Sequence, residues 1–209
     1  YRFNKYFTDT DKKRINYLNS VTVVSNNAKN VKKLWNRFNA LKEGVFLTRN
    51  LVSEPANNLT PSLLAKEASK LKGLGLKINI LDEKKLKSLK MGALLGVAQG
   101  SANKPFVVTL EWNGNPKNKV MDFTFVGKGV TFDTGGISIK PSGGMEEMKY
   151  DMGGSAVVLG LMKSLALSKV KSNISAVVGL VENMPSGNAQ RPGDVVKSMS
   201  GKTIEVINT

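Results

Sequence analysis

The sequence predicts an α/β protein with a layered mixed sheet flanked by helices. Three observations lead there. Helix-spaced and strand-spaced apolar patterns alternate along the chain. Residues 174–181 are a nearly continuous apolar run, as in a strand covered on both faces. Finally, 41% hydrophobic and 22% charged residues over 209 positions suit a buried core rather than a disordered polyelectrolyte.

Taken in order, residues 1–28 are polar and Asn-rich, with one strand candidate at Val21, Thr22, Val23 and Val24. From Lys29 the pattern changes. Val31, Leu34, Trp35, Phe38, Leu41, Val45 and Phe46 recur at helical spacing among Lys and Arg. This predicts an amphipathic helix to about Leu51, with Gly44 as a breaking point and the aromatic stripe turned into a core. Thr60 and Pro61 predict the next helix start, an N-cap oxygen followed by proline at the first helical position. That helix runs to about Leu71 and stops at Gly73 and Gly75. Residues 76–81 alternate as a strand, and Asp82 caps a short Lys-rich helix through Leu89. Residues 106–110 and 119–126 are strands joined by the turn Asn113-Gly114-Asn115-Pro116, which reads as a hairpin. A helix runs from Asp151 to about Leu167, and residues 203–207 are a last strand candidate.

The chain has 31 Lys+Arg against 16 Asp+Glu, a net charge of +15, and most of the excess lies in the first half. Lysine dominates, and lysine is a hydrated point charge rather than a bidentate reader of phosphates. The excess therefore reads as a solvated coat, and nucleic acid is not an expected partner. A basic nucleic-acid module would lean on Tyr1, Phe3, Tyr6, Phe7 and Tyr17 as stacking groups, but no recognition motif accompanies them. No stretch is long and apolar enough for a membrane helix, so no membrane partner is expected.

There is no His and no Cys. This excludes disulfide frameworks, thiolate metal sites, Cys nucleophiles and Ser–His–Asp catalysis. Chemistry must run on carboxylates, lysine, hydroxyls, backbone dipoles or a metal held without imidazole. The segment suited to this follows a predicted strand and leads into a helix. It reads Gly127-Lys128-Gly129-Val130-Thr131-Phe132-Asp133-Thr134-Gly135-Gly136, then Ser138, Lys140 and Pro141, then Met148-Lys149-Tyr150-Asp151-Met152-Gly153-Gly154. Its glycines permit close backbone approach and positive φ. It fails both the P-loop and the dinucleotide-binding spacing. Asp133 and Asp151, with Lys128 and Lys140 beside them, could instead bridge two divalent ions. The simpler alternative is that both aspartates cap helices or turns, Asp151 at a helix start.

These motifs closely resemble the leucyl (cytosol) aminopeptidase family, whose members are di-metal exopeptidases. Glu54-Pro55-Ala56-Asn57, Thr60-Pro61, Asn183-Met184-Pro185-Ser186-Gly187-Asn188-Ala189, Arg191-Pro192-Gly193-Asp194 and Ser200-Gly201-Lys202-Thr203-Ile204-Glu205-Val206 match as well. The resemblance covers residues 42–209. It implies that Lys128 and Asp151 ligate one metal and Asp133 bridges both. Lys140 would be the catalytic lysine that polarises the scissile carbonyl, and Met148 a wall of the pocket for the substrate's first side chain. A ligating lysine must be the neutral amine, which burial and neighbouring dications favour, whereas an oxyanion donor must be the ammonium.

The resemblance implies two divalent ions, Mn or Zn ahead of Mg or Co, and peptides with a free N-terminus as substrates. It also implies a homohexameric, cytoplasmic parent. Residues 1–28 would end a preceding domain, residues 29–43 would be a connecting helix, and residues 44–209 would be the first part of the catalytic domain. In the family, the strand ending in Asn-Thr continues with Asp-Ala-Glu-Gly-Arg, which lies past Thr209. The catalytic domain is then incomplete, and the chain alone is expected to be inactive, poorly folded and open at a sheet edge. The alternative is a catalytically inactive homologue or split-gene product with a structural role.

Overall fold

The computed structural model describes residues 1–8, 18 and 20–209. The first helix, α1 (Ala28–Ser53), begins where the Asn27 side chain accepts from the Asn30 N–H at 3.1 Å. It continues unbroken through Gly44. The only strands preceding α5 (Gly153–Leu167) among the described residues are β1 (Lys77–Leu81), β2 (Phe106–Asn113) and β3 (Phe123–Asp133). The expected strand at 21–24 is not formed; Val21 and Val23 lie beside the first turns of α1, with no strand to pair them.

α1 packs on α5 through small residues. A Cβ on Gly44 would stand 2.3 Å from the Gly160 carbonyl oxygen, and one on Gly160 would stand 2.5 Å from that of Gly44. Across the same crossing, the Thr48 hydroxyl donates to the Ala156 carbonyl at 3.1 Å. Ala40, Gly44 and Leu51 are the buried residues of α1. The aromatic stripe is not in the core: Trp35 is 60% and Phe38 57% exposed, and Leu34, Leu41 and Val45 are exposed with them. The cause is the tightness of the crossing, which selects the small-residue face and turns the bulky one outward. Phe46 is covered differently, by Tyr1, whose ring centroid is 5.2 Å away. Tyr1 also donates to Asn50 at 2.9 Å, while Lys5 and Tyr6 both bond Glu54. Tyr1 and Tyr6, two of the candidate stacking groups, are thus engaged with α1 and with Glu54 at its end; Tyr17, a third, lies outside the described residues.

α2 (Pro61–Ser69) starts at Pro61, but Thr60 provides no side-chain cap; its hydroxyl meets that of Ser62 at 3.1 Å. A 3-10 turn, Lys70–Leu74, extends it to Gly75, at φ 90°. β1 leads to α3 (Glu83–Ser88), where Asp82 accepts from the Lys85 N–H at 2.9 Å, the cap the sequence predicts. α4 (Gly92–Ala98) follows; its seven-residue apolar run is too short to separate helix from strand by periodicity.

Completing the set are β4 (Asn173–Asn183), β5 (Val195–Lys197) and β6 (Thr203–Glu205). The main sheet has the order β1-β2-β4-β3. β1 and β2 are antiparallel, β2 and β4 antiparallel, and β3 and β4 parallel. β2 and β3 therefore form no hairpin. Asn173, buried at the start of β4, draws the connection across the strand end: its Nδ2 donates to the carbonyls of Asn115 and Asn118 at 3.0 and 2.6 Å. The 203–207 candidate is β6, which pairs with β5 in a separate two-stranded sheet.

Alternation along β4 fixes the layers. Ile174, Ala176, Val178 and Leu180 face the main core with Leu64 and Ala68 of α2 and Leu159 and Met162 of α5. On the opposite face, Val181 joins Val130 and Ala98, with Leu94 and Val97 of α4 against them. A β-branched side chain at Gly44 would force the α1–α5 crossing apart. We expect Gly44→Val to lower unfolding stability by about 1–3 kcal/mol, read as a shifted urea midpoint at unchanged slope.

Candidate active site

Four of the predicted site residues form two pairs along β3, Lys140 with Asp133 at its carboxyl end and Lys128 with Asp151 at mid-strand; ligands of open α/β sheets bind beyond such strand ends. The glycines there serve two different purposes. Gly127 and Gly129 let α5 approach the strand: a Cβ on Gly127 would stand 2.9 Å from the Ser155 Cα, and one on Gly129 would stand 3.1 Å from the Ser155 hydroxyl. Gly135 and Gly136 turn the chain after the strand, at φ 89° and 64°, where L side chains are strained. The turn folds back on itself, with the Lys140 N–H donating to the Thr134 carbonyl at 3.0 Å. This closure returns the Lys140 side chain to Asp133, Nζ to Oδ2 at 3.1 Å.

Asp133 is held on all sides. Its Oδ1 accepts from the Gly135 N–H at 2.9 Å and from Asn183 Nδ2 at 2.8 Å. Asn183 is the register partner of Asp133 across the parallel β3–β4 pair, past an irregularity between Val130 and Asp133. Burial alone pushes the Asp133 carboxyl up and is the largest single influence. The donors from Gly135, Lys140 and Asn183 together outweigh it, so its pKa is lowered from the ordinary 3.8. Thr134 clamps the same neighbour, its N–H and hydroxyl both donating to the Asn183 carbonyl at 3.0 and 2.9 Å. Thr209 closes the outside of the turn, its hydroxyl donating to the Gly135 carbonyl at 2.8 Å and accepting from the Ser138 N–H at 2.9 Å.

The second pair is Lys128 with Asp151, Nζ to Oδ1 at 2.7 Å. Asp151 does not cap α5, whose N-cap residue is Met152; it ends the 3-10 turn Met145–Tyr150 instead. Its Oδ2 is buried with no hydrogen-bond partner. A carboxylate oxygen shut off from water and from donors is costly and suits a cation. An amine nitrogen and carboxylate oxygens are donors for divalent ions of the Mn, Zn, Mg and Co kind. The residues present thus fit such an ion, although among the described residues no three His, Cys, Asp or Glu gather into a complete ligand set. Met148 lies half-buried on the 3-10 turn, between Lys140 and Asp151 in sequence. Asn183 is the contributor that residue-level reading does not assign, because its contact with Asp133 exists only once the strands are known to be parallel.

Fold and site together define an α/β domain with paired carboxylates and lysines along β3 of a mixed sheet. Residues 46–209 match the family model described as cytosol aminopeptidase family, catalytic domain, and the chain belongs to that family. A relative named "Probable cytosol aminopeptidase" from Brucella melitensis biotype 1 is 54% identical over 211 residues, covering 100% of this chain and 43% of its own length. The solved "Bottromycin maturation enzyme BotP in complex with Mn" superposes with TM-score 0.83 at 33% identity, covering 100% of this chain and 42% of its own. The cytosol aminopeptidase from Coxiella burnetii superposes with TM-score 0.77 at 35% identity over 83% of this chain and 37% of its own. The chain thus spans less than half the length of the curated relative it matches.

Because the folded pKa of Asp133 is depressed, the unfolded chain binds more protons in the window between the two values. Its contribution to stability is present above the ordinary 3.8 and is lost as pH falls through the lower folded value. We expect Asn183→Leu to raise the Asp133 pKa in metal-free protein, measured by carboxyl-carbon NMR titration, and to shift this acid loss toward higher pH.

Proposed function

We propose that the protein is a metal-dependent aminopeptidase, releasing N-terminal amino acids with a leucine-like preference from peptides through two-metal activation of water. The observation that carries this reading is the pairing of Lys128 with Asp151 and of Lys140 with Asp133, beside a buried Asp151 oxygen that no donor serves. Lys128, Asp133 and Asp151 would hold the ions, with Asp133 shared by both. Mn or Zn suit this donor set first and Mg or Co after them, and the Mn in the BotP structure supports the choice of Mn. When bound, the ions supply a nucleophile from water at neutral pH and offset charge on the substrate carbonyl.

The chain's own part is positional. Gly135, Asn183 and Lys140 fix the Asp133 carboxylate before any ligand arrives. The Lys140 ammonium, carried on a turn closed by its own backbone, would donate to the carbonyl oxygen of the scissile bond as that oxygen gains charge. Met148 would line the pocket for the first side chain. Residues 44–209 would form the first part of the catalytic domain, with residues 29–43 as connector and residues 1–28 as the end of a preceding domain.

A cytoplasmic homohexamer completes the reading. Its support is the exposed stripe of Leu34, Trp35, Phe38 and Leu41, a bulky apolar face that assembly would cover. No helix among the described residues is long and apolar enough to cross a membrane.

In the full-length protein, chelation should abolish cleavage of leucyl peptides, and added Mn2+ should restore it; cleavage that survives chelation would sink the reading. Lys140→Ala should lower kcat by about 10²–10³ with little change in KM, the cost of one oxyanion donor. Residues 1–209 alone should show no activity, since their described carboxylates do not complete a ligand set. Trp35→Glu with Phe38→Glu should break the hexamer, read by light scattering.

A further inference from the structure

Two buried side-chain atoms among the described residues have no hydrogen-bond partner. Asp151 Oδ2 belongs to the site above. The other is Gln190 Nε2, on a residue only 7% exposed. The Gln190 amide lies against α4, where a Cβ on Gly96 would stand 2.5 Å from Nε2 and 2.8 Å from Oε1. A side-chain amide carries two donors, and leaving them unmet in the interior is unfavourable.

The residue borders a cavity of about 10 Å³ shared with Gly136, Asn183, Met184, Ala189 and Thr209. That is room for roughly one water, and although much of the wall is apolar, the Gln190 and Asn183 amides offer it polar partners. The far wall is Asn183, whose Nδ2 holds Asp133 Oδ1 at 2.8 Å. Its Oδ1 faces Gly136, where a Cβ would stand 2.8 Å from it. An Asn amide turned end for end would set oxygen against the Asp133 carboxylate, replacing a donor with repulsion. The carboxylate itself selects the donor-facing orientation, and a donor to the Asn183 oxygen would reinforce it.

We propose that this cavity binds one water, which accepts from Gln190 Nε2 and donates to the side-chain oxygen of Asn183. Gln190 is thereby a positioning residue for Asp133. The water keeps the Asn183 donor turned toward the carboxylate, and Gly96 lets the Gln190 amide lie close enough to hold the water. Outer partners of metal ligands act in this way, by fixing orientation. That Asp133 is a metal ligand rests on the function proposed above; the water does not.

The test uses the full-length protein. A high-resolution crystal structure should show an ordered water within hydrogen-bond reach of Gln190 Nε2 and Asn183 Oδ1. Gln190→Met, close in size but without donors, should lose that water and keep its thermal midpoint. It should bind Mn2+ about tenfold more weakly by titration calorimetry, the low end of outer-partner effects. Gly96→Ala, whose Cβ displaces the amide from the helix side, should likewise lose the water and weaken Mn2+ binding, and serves if the Met variant does not fold. A dry cavity, or a Gln190 amide bonded directly to a protein carbonyl, would overturn the proposal. So would unchanged Mn2+ affinity in a variant that has lost the water. If the water is present and both variants weaken Mn2+ while the protein cleaves no peptide, the aminopeptidase reading fails and this one stands.

Discussion

The parallel pairing of β3 with β4 is the constraint on which the rest depends. Parallel neighbours cannot be joined by a tight turn, so the chain must cross over, and α5 is the crossover. The helix begins beside the strand it has just left, which is possible because Gly127 and Gly129 have no side chains. The same geometry sets the site. Lys128 stands between those two glycines, Asp133 ends the strand, and Asp151 precedes the helix. Register then places Asn183 opposite Asp133 with no further device.

Much of this was legible in the sequence, and the gaps have physical causes. The Asp82 cap, the twice-covered β4 and the chemistry-bearing segment are local signals, carried by residue type and spacing. That β2 and β3 do not pair was not recoverable locally. A turn-forming Asn113-Gly114-Asn115-Pro116 connects two strands as readily when a third lies between them, and the decisive contacts come from Asn173, more than fifty residues later. Asp151 as a helix cap failed for a related reason: a 3-10 turn takes up the residues before it, leaving its carboxylate free to meet Lys128.

α1 shows how periodicity finds an apolar face without saying where it points. Its helix carries two such faces, one of Trp35, Phe38 and Leu41, the other of Ala40, Gly44 and Leu51. Hydrophobicity favours the first as core. Packing chose the second, because the helix–helix approach leaves no room for even one Cβ at Gly44 or Gly160. Apolar burial grows with area removed from water, but a close crossing gains many short contacts and a cross-helix bond from Thr48. The bulky face then remains for another surface.

The buried side-chain polar atoms that lack partners are not scattered. Asp151 Oδ2 lies at the start of the crossover helix, and Gln190 Nε2 lies behind the residue that holds Asp133. Elsewhere, demanding polar groups are fully served: Asn173, 3% exposed, donates to backbone carbonyls and accepts from the Asn115 N–H. A fold that satisfies Asn173 so completely has the means to satisfy the other two. The protein alone leaves one oxygen unserved at the Lys128–Asp151 pair and one amide unserved beside Asn183, and the proposals above give each a partner from outside the chain, an ion and a water.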